Sequence, residues 1–145
     1  MKILRIQGKN LASIAGEFDI DFTAAPLRSA GIFAICGPTG AGKSTILDAI
    51  CLALFNNMPR TTGIEGTKMP DVGQEFIQQG DRRQILRRGT AEAMAAVEFI
   101  AVDGKSYRSV WRVWRANNKI SGKLQPAELR VYPLGDPSPI TTGIK

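Results

Sequence analysis

The chain has 145 residues, enough for one domain with a hydrophobic core of its own. It contains no histidine, which excludes histidine-based acid–base catalysis and histidine metal sites. The formal net charge is +6, and the whole excess lies in residues 82–130, which hold 11 Lys and Arg against 4 Asp and Glu. No signal peptide precedes the first predicted strand and no apolar run reaches membrane-spanning length, so we expect a cytoplasmic protein without a membrane partner.

Three strands are predicted before the first helix. Residues 2–8 and residues 17–22 alternate apolar and polar side chains, the pattern of strands with one buried face. Residues 31–36 are a short apolar run typical of a buried strand. Cys36 ends this run and Cys51 lies in the next apolar segment, so we expect two buried, reduced thiols and no disulfide.

A glycine-rich octapeptide follows, with the sequence Gly-Pro-Thr-Gly-Ala-Gly-Lys-Ser. It matches the phosphate-binding loop Gly-x-x-x-x-Gly-Lys-[Ser/Thr] at every specified position, between a predicted strand and a predicted helix, as the motif requires. Glycine tolerates the φ angles that point successive N–H groups into one concave nest, and the helix N-terminus adds further donors. The nucleotide-binding residues predicted in this segment are Gly37, Pro38, Thr39, Gly40, Ala41, Gly42, Lys43, Ser44 and Thr45.

Two side chains of this loop carry its chemistry, with ATP and Mg²⁺ as the predicted cofactors. Lys43 is expected to contact the β- and γ-phosphates as a point charge and is the candidate catalytic residue. The hydroxyl of Ser44 is expected to bind Mg²⁺, and Thr45 is placed to donate to the α-phosphate. The other interpretation is a turn that caps a helix without a ligand, but such a cap has no use for Lys43 and Ser44.

Residues 45–55 form a helix pattern that is apolar apart from Thr45 and Asp48. A helix that is apolar all round is buried on all sides, so we expect this one to lie between two sheets. Asp48 comes one turn after Ser44. It either buttresses the loop or the Mg²⁺ shell, or it faces solvent or a local cation, and the second interpretation is favoured.

The rest of the chain predicts a mainly antiparallel scaffold. Residues 56–84 are polar, rich in Gly and Thr and without clear period, which predicts a long flexible loop. Residues 91–102 and 105–115 predict a hairpin around an Asp-Gly turn, and residues 128–132 a further short strand.

The returning strand at residues 105–115 has two mixed faces. Arg108, Val110, Arg112 and Trp114 share one face, and Tyr107, Ser109, Trp111, Val113 and Arg115 share the other. A Trp and Arg face is either a stacking surface for nucleic acid or a tryptophan that anchors the sheet beneath arginine stems, and we favour the second. The basic excess of residues 82–130 likewise indicates either a polyanion-binding surface or a solvated sheet face, and charge alone does not decide.

Parts of a complete ATPase are absent. No run of four apolar residues is followed by Asp-Glu, the pattern that would hold Mg²⁺ and activate water. We therefore expect the chain to bind a nucleotide without hydrolysing it alone. Because the sequence stops at Ile144-Lys145 without a capping structure, we also expect further chain to follow.

Several segments together resemble the N-terminus of the SbcC family, the ATPase subunits of the bacterial SbcCD nuclease and an SMC-like branch of the ABC ATPases. The matching segments are residues 2–6, 9–16, 31–55, 58–60, 85–89, 96–99 and 103–104. The phosphate loop alone is generic, but this combination covers nearly the whole chain.

The resemblance implies an α/β P-loop NTPase fold of the ABC/SMC-head type, with mixed and antiparallel sheets around a buried P-loop helix. It implies that residues 1–145 are most of the N-terminal lobe of a split head. The coiled coil and the C-terminal lobe, which brings the signature motif, the Mg²⁺-holding Asp and the catalytic Glu, would lie elsewhere.

The resemblance also implies a function, as the ATP-binding half of the ATPase subunit of a complex that processes DNA double-strand breaks. Two SbcC heads would close over two ATP molecules and so control an SbcD-type partner. That partner is an exo- and endonuclease that cuts double-stranded DNA ends and hairpins. The expected location is cytoplasmic and nucleoid-associated.

Four further site residues follow from the resemblance. Asn10 and Ser13 would approach the nucleotide, and Arg87 and Arg88 match the position where relatives contact its base and ribose side. Position 12 is Ala where archaeal and eukaryotic relatives carry Arg, so a cationic phosphate contact is lost. The glutamine loop that senses the γ-phosphate is expected after residue 145, and the Gln-containing residues 76–80 imitate it only superficially.

Two other functions compete. A self-contained P-loop kinase or GTPase would need its own acidic metal ligand, and none is visible. A DNA-tethering module with a vestigial loop would not need Lys43 and Ser44, which are both intact.

Overall fold

The computed structural model describes residues 1–64 and 66–140. In these residues seven strands and one α-helix follow in the order β1 (Lys2–Leu11), β2 (Ile14–Asp21), α1 (Lys43–Phe55), β3 (Lys68–Pro70), β4 (Phe76–Gln78), β5 (Glu92–Ile100), β6 (Ser106–Trp114) and β7 (Glu128–Pro133). Short 3₁₀ turns cover Leu27–Ser29, Pro59–Thr61, Arg82–Ile85 and Ala116–Asn118.

Five strands form one sheet in the order β2-β1-β5-β6-β7, and β3 and β4 form a separate hairpin. Every strand pair is antiparallel, so the parallel pairing that a mixed sheet needs is not found within the described residues. The Asp-Gly turn joins β5 to β6 with Gly104 at a φ of 78°, a left-handed angle that suits glycine. The predicted strands at residues 2–8, 17–22, 91–102, 105–115 and 128–132 are confirmed to within a few residues.

Helix α1 packs on one face of this sheet, against β1, β5 and β6. Its buried residues recur every three or four positions, as one helix face requires: Thr45, Asp48, Ala49, Leu52 and Ala53. The predicted burial on all sides is wrong, because Leu47 and Phe55 are 56% and 68% exposed. Only one layer of described structure covers the helix, so its opposite face remains open.

The predicted strand at residues 31–36 is also absent. These residues are exposed and pair with no described strand, and Ile32 is 94% exposed. Phe33 is the partial exception, since its ring centroid lies 4.8 Å from that of Phe22. Cys36 is therefore exposed and Cys51 only partly buried, against the prediction of two buried thiols. An apolar run becomes a strand only where a neighbouring strand supplies its hydrogen bonds.

Residues 56–84 contain more structure than predicted, with the β3–β4 hairpin and two 3₁₀ turns. Met58 lies in the hydrophobic core. Asp71 and Arg115 form a largely buried ion pair with N···O distances of 2.6 and 3.0 Å, which ties this segment to the end of β6. The interpretation as an irregular loop is wrong for these elements, and its flexibility stays a prediction.

The two predicted faces of β6 are confirmed. Ser109, Trp111 and Val113 point into the core, whereas Arg112 on the other face is exposed. Trp111 is fully buried in the core cluster, so it anchors the sheet and does not stack on a ligand. Trp114 lies half-buried on the outer face.

Candidate nucleotide-binding site

The phosphate loop is an exposed segment that leads directly into α1. Gly37, Gly40 and Gly42 adopt φ angles of 156°, 84° and 94°, which residues with a Cβ rarely adopt. Gly42 is the N-cap of α1, and no side chain caps the helix. The first-turn N–H groups of α1 are therefore open to an anion at the positive end of the helix dipole.

The ammonium group of Lys43 closes this loop. Its Nζ donates to the carbonyl oxygens of Gly37 and Pro38, at 2.6 and 2.8 Å. Lys43 thus lies against the start of the loop where bound phosphates would meet its charge. Ser44 is exposed and offers its hydroxyl to a metal, whereas Thr45 is buried, which favours its N–H over its hydroxyl as the phosphate contact.

The turn between β1 and β2 lies against the start of α1. A Cβ added to Gly42 would lie 2.6 Å from Cγ1 of Ile14 and 3.3 Å from Oγ of Ser13. The structure therefore brings Ser13 next to the phosphate loop, and its contact with the nucleotide stays a prediction. The same contact requires glycine at position 42, because Ile14 occupies the space of any side chain.

Asn10 makes hydrogen bonds through both ends of its side chain. Its Nδ2 donates to the carbonyl of Glu92 at 3.2 Å, and its Oδ1 accepts from the N–H of Gly16 at 3.1 Å. Its φ of 52° is left-handed, a conformation that Asn tolerates. Both ends of the side chain thus hold the turn in shape, and the approach of Asn10 to the nucleotide stays a prediction.

Arg87 holds the other side of the same turn. Its Nη1 donates to the carbonyl of Ala12 at 2.9 Å, and its backbone N–H donates to the carbonyl of Asn10 at 3.0 Å. The N–H of Ala12 in turn donates to the carbonyl of Ile85 at 2.7 Å. The structure thus places Arg87 at the turn that carries Ser13. Arg88 is exposed and has no hydrogen-bond partner in the described part of the chain.

Asp48 lies on the buried face of α1 and pairs with Arg60, whose Nη2 is 2.6 Å from its Oδ2. This supports the interpretation of Asp48 as a locally paired carboxylate. Burial raises the pKa of Asp48, and the charge of Arg60 opposes that shift. Asp48 is the acidic residue nearest to Ser44 in the sequence, and its carboxylate is already paired with Arg60.

The residues fit a magnesium ion that is brought by a nucleotide. Residues 1–64 and 66–140 hold no cluster of three or more Cys, Asp or Glu side chains able to bind a metal by themselves. The exposed hydroxyl of Ser44 remains, next to the loop that would hold the phosphates.

In residues 1–64 and 66–140 no helix is long and apolar enough to cross a membrane.

The basic stretch is partly neutralised in the fold. Five of its cations form ion pairs with acidic side chains, namely Arg83, Arg108, Arg115, Lys123 and Arg130. Arg108 also donates to Oε1 of Gln7 at 2.8 Å and lies opposite Glu98 in the sheet register. On the strands themselves, Arg108 and Arg130 are paired with Glu98 and Glu128, whereas Arg112 is exposed without an ion pair in the described residues, so the two interpretations of the basic stretch both stay open.

Two residues at this site were not predicted from the sequence. Ile14 packs against the N-cap of α1, and Arg60 neutralises Asp48. An aspartate inside an apolar helix is itself a signal that a cation must lie nearby, because an unpaired buried carboxylate is costly. The position of that cation 12 residues later depends on how the chain turns after α1.

The Gly-x-x-x-x-Gly-Lys-Ser loop leads into a helix packed on a β-sheet, as in a P-loop nucleotide-binding domain, although the strand that precedes such a loop is not formed in the described residues. The family model described as "AAA domain" matches residues 5–132, and the chain belongs to that family.

Particular relatives narrow the class. The chain is similar to the SbcC subunit of the SbcCD nuclease of Pseudomonas aeruginosa, with 53% identity over 129 residues, 88% of this chain and 11% of the relative. The corresponding protein of Rhodobacter capsulatus is 53% identical over 126 residues, 86% of this chain and 10% of the relative. A probable DNA double-strand break repair Rad50 ATPase of Aquifex aeolicus is 33% identical over 108 residues, 74% of this chain and 9% of the relative.

These relatives confirm the resemblance to the SbcC family. The chain spans about a tenth of the length of the curated relatives it matches.

Proposed function

We propose that this chain is the N-terminal, ATP-binding lobe of a split ATPase head of the ABC/SMC type, in a complex that processes DNA double-strand breaks. The observation that carries the proposal is the phosphate loop, whose left-handed glycines lead into an uncapped helix N-terminus beside Lys43. The names of the relatives, SbcCD nuclease subunits and a Rad50 ATPase, support the biological setting.

In this proposal the residues of the loop divide the work of holding ATP. The backbone N–H groups of residues 39–45 surround the phosphates, and Lys43 leaves its loop carbonyls to neutralise the β- and γ-phosphates. Ser44 binds Mg²⁺, which supplies charge neutralisation on the phosphate oxygens when bound. Ser13 contacts the nucleotide from the β1–β2 turn, Arg87 and Asn10 hold that turn, and Arg88 is free to reach the base and ribose side.

Exposed apolar surface supports the idea of a half head. Ile32, Phe33 and Ile35 precede the phosphate loop as an exposed apolar run, and Leu47 and Phe55 are exposed on α1. These exposed apolar side chains are available for burial against a second lobe. A second lobe that adds strands beside residues 31–36 and covers the open face of α1 would bury both.

Hydrolysis in this proposal needs groups that the second lobe brings. Asp48 is buried against Arg60 and does not act as the Mg²⁺-holding acid. The isolated chain is therefore expected to bind ATP without turnover. Closure of two heads over ATP would control an SbcD-type nuclease that cuts double-stranded DNA ends and hairpins, in the cytoplasm and near the nucleoid.

The direct test is isothermal titration of the chain with ATP and Mg²⁺. Wild type is expected to bind, and Lys43→Ala to bind about ten- to a hundredfold more weakly, the loss expected for a charge-assisted contact. Lys68→Ala is the matched control, because Lys68 is exposed on the β3–β4 hairpin. Absence of binding in the wild type, or equal binding by Lys43→Ala, would contradict the proposal. Turnover by the isolated chain would instead favour a self-contained kinase or GTPase.

A further inference from the structure

The buried face of the P-loop helix carries one charge. The side chain of Asp48 is 7% exposed on a helix face that is otherwise Thr45, Ala49, Leu52 and Ala53. An isolated carboxylate in such a place is strongly disfavoured unless a cation compensates it. Oδ2 of Asp48 has no hydrogen bond of good geometry in the described residues, so its compensation is the ion pair with Arg60.

Arg60 is held at a defined place by the chain around it. It lies in the 3₁₀ turn Pro59–Thr61, which follows the buried side chain of Met58. The hydroxyls of Thr61 and Thr62 donate to the carbonyl of Met58, at 3.0 and 3.2 Å. The guanidinium therefore extends from an anchored turn, and its side chain is still 48% exposed.

The two ends of α1 are held differently. Its C-terminal end is fixed to β6, where Ser109 donates to the carbonyl of Ala53 and Trp111 donates to Asn56. In its N-terminal half the buried side chains are Thr45, Asp48 and Ala49, and the small alanine interlocks little with the sheet. Asp48 lies four residues after Ser44, about one helical turn. A restraint at Asp48 therefore limits the directions in which Ser44 and Lys43 point.

From these contacts we propose that Arg60 is a positioning residue for the phosphate loop, which acts through its ion pair with Asp48. The pair sets the orientation of α1 and so the placement of Lys43 and Ser44 against a nucleoside triphosphate. This inference rests on the nucleotide-binding function proposed above. It assigns to the segment after α1 a part in binding ATP, although no atom of Arg60 needs to touch the ligand.

A double-mutant cycle in which both ATP affinity and stability are measured tests the proposal. The Kd for ATP with Mg²⁺ and the free energy of unfolding are measured for wild type, Asp48→Asn, Arg60→Gln and the double variant. We expect each single variant to bind ATP about tenfold more weakly, and the double variant to be no weaker than the singles, because one shared interaction is lost. Arg60→Lys is expected to restore part of the affinity, since it keeps the charge.

The Asp71–Arg115 pair is the matched control, because it is also buried but joins the β3–β4 segment to the end of β6. Asp71→Asn and Arg115→Gln are expected to lower stability while the Kd for ATP stays within about twofold of wild type. A Kd change in this control as large as in the Asp48–Arg60 cycle would show a general effect of stability and would overturn the positioning role.

The outcomes separate this inference from the proposed function. If wild type binds ATP through Lys43 while Arg60→Gln and Arg60→Lys both bind like wild type, the positioning role fails and the proposed function stands. If the losses of ATP affinity in the two single variants add up in the double variant, the ion pair does not cause them and the inference also fails. Should Asp48→Asn not fold, the two Arg60 variants decide alone, because that side chain is half exposed. If wild type does not bind ATP, both proposals fail.

Discussion

The indole Nε1 of Trp111 donates to Oδ1 of Asn56, at 3.1 Å, at the residue where α1 ends. Asn56 adopts a left-handed φ of 53° as the C-cap. Ser109, two residues away on β6, donates its hydroxyl to the carbonyl of Ala53 in the last turn of the helix. The C-terminal end of the P-loop helix is thus clamped to the centre of the sheet.

Because of this clamp, we expect the substitution of Trp111 to cost much more stability than the substitution of Trp114. Trp111→Phe removes the indole hydrogen bond, so that Oδ1 of Asn56 loses its donor. The smaller ring also leaves a small cavity in the core. We expect a loss of about 1 to 3 kcal/mol of stability, measured by urea unfolding followed by circular dichroism. Trp114→Phe, on the half-buried outer face, is the control and should cost less than about 1 kcal/mol. Equal losses would show that the Asn56 contact contributes nothing.

The phosphate loop predicts different costs for two glycines. Gly40 and Gly42 both have left-handed φ angles, so an alanine at either position incurs strain of about 1 to 2 kcal/mol. Around Gly40 there is open space, whereas a Cβ on Gly42 would lie 2.6 Å from Cγ1 of Ile14. Gly42→Ala should therefore lose about 1 to 3 kcal/mol more than Gly40→Ala in urea unfolding. Identical losses would place the strain in the backbone alone.

The buried ion pair of Asp71 and Arg115 predicts a strong dependence on both partners. Their side chains are 14% and 10% exposed, so removal of either leaves a desolvated charge. Arg115→Gln should cost about 3 to 5 kcal/mol, and a double variant with Asp71→Asn should recover part of that loss. The exposed pair of Arg5 and Asp19 has equally short contacts and serves as the comparison. A much smaller effect of Arg5→Gln is expected there, because water screens that pair.

Two aspartates predict opposite responses to pH. Burial raises the pKa of Asp48 above its usual 3.8, so the folded state binds the proton more tightly than the unfolded state. Ionised Asp48 therefore reduces stability as pH rises above 3.8 through its raised pKa, and Asp48→Asn should gain stability relative to wild type as pH rises from there. At Asp81 burial also raises the pKa, but the side-chain and backbone hydrogen bonds from Arg83 outweigh it and lower the pKa overall.

The stabilisation from Asp81 is therefore present above its unfolded pKa and lost as pH falls through its folded one. Asp81→Asn should accordingly lose relative stability as pH rises to the unfolded value of 3.8, a window that lies below the one for Asp48. Urea unfolding of the three proteins at several pH values measures both trends. Parallel curves for the two variants would contradict the assignment of these shifts.

Much of the fold followed from local patterns. The alternation at residues 2–8 and 105–115 identified strands and the faces of β6 correctly, because a pleated strand places alternate side chains on opposite faces. The phosphate loop was visible as a motif because its chemistry needs certain residues at fixed spacing. The strand predicted at residues 31–36 was wrong, because within residues 1–64 and 66–140 no strand lies beside this apolar run.

By itself the sequence determined five of the seven described strands, the helix and the glycine-rich anion loop, because these depend on residues close together in the chain. Only the tertiary structure decided which face of α1 is covered, where Ser13 and Arg87 lie relative to the loop, and that Arg60 neutralises Asp48. Those contacts join residues far apart in the sequence or around a turn of undetermined direction. Their geometry depends on the packing of whole elements, which no local pattern contains.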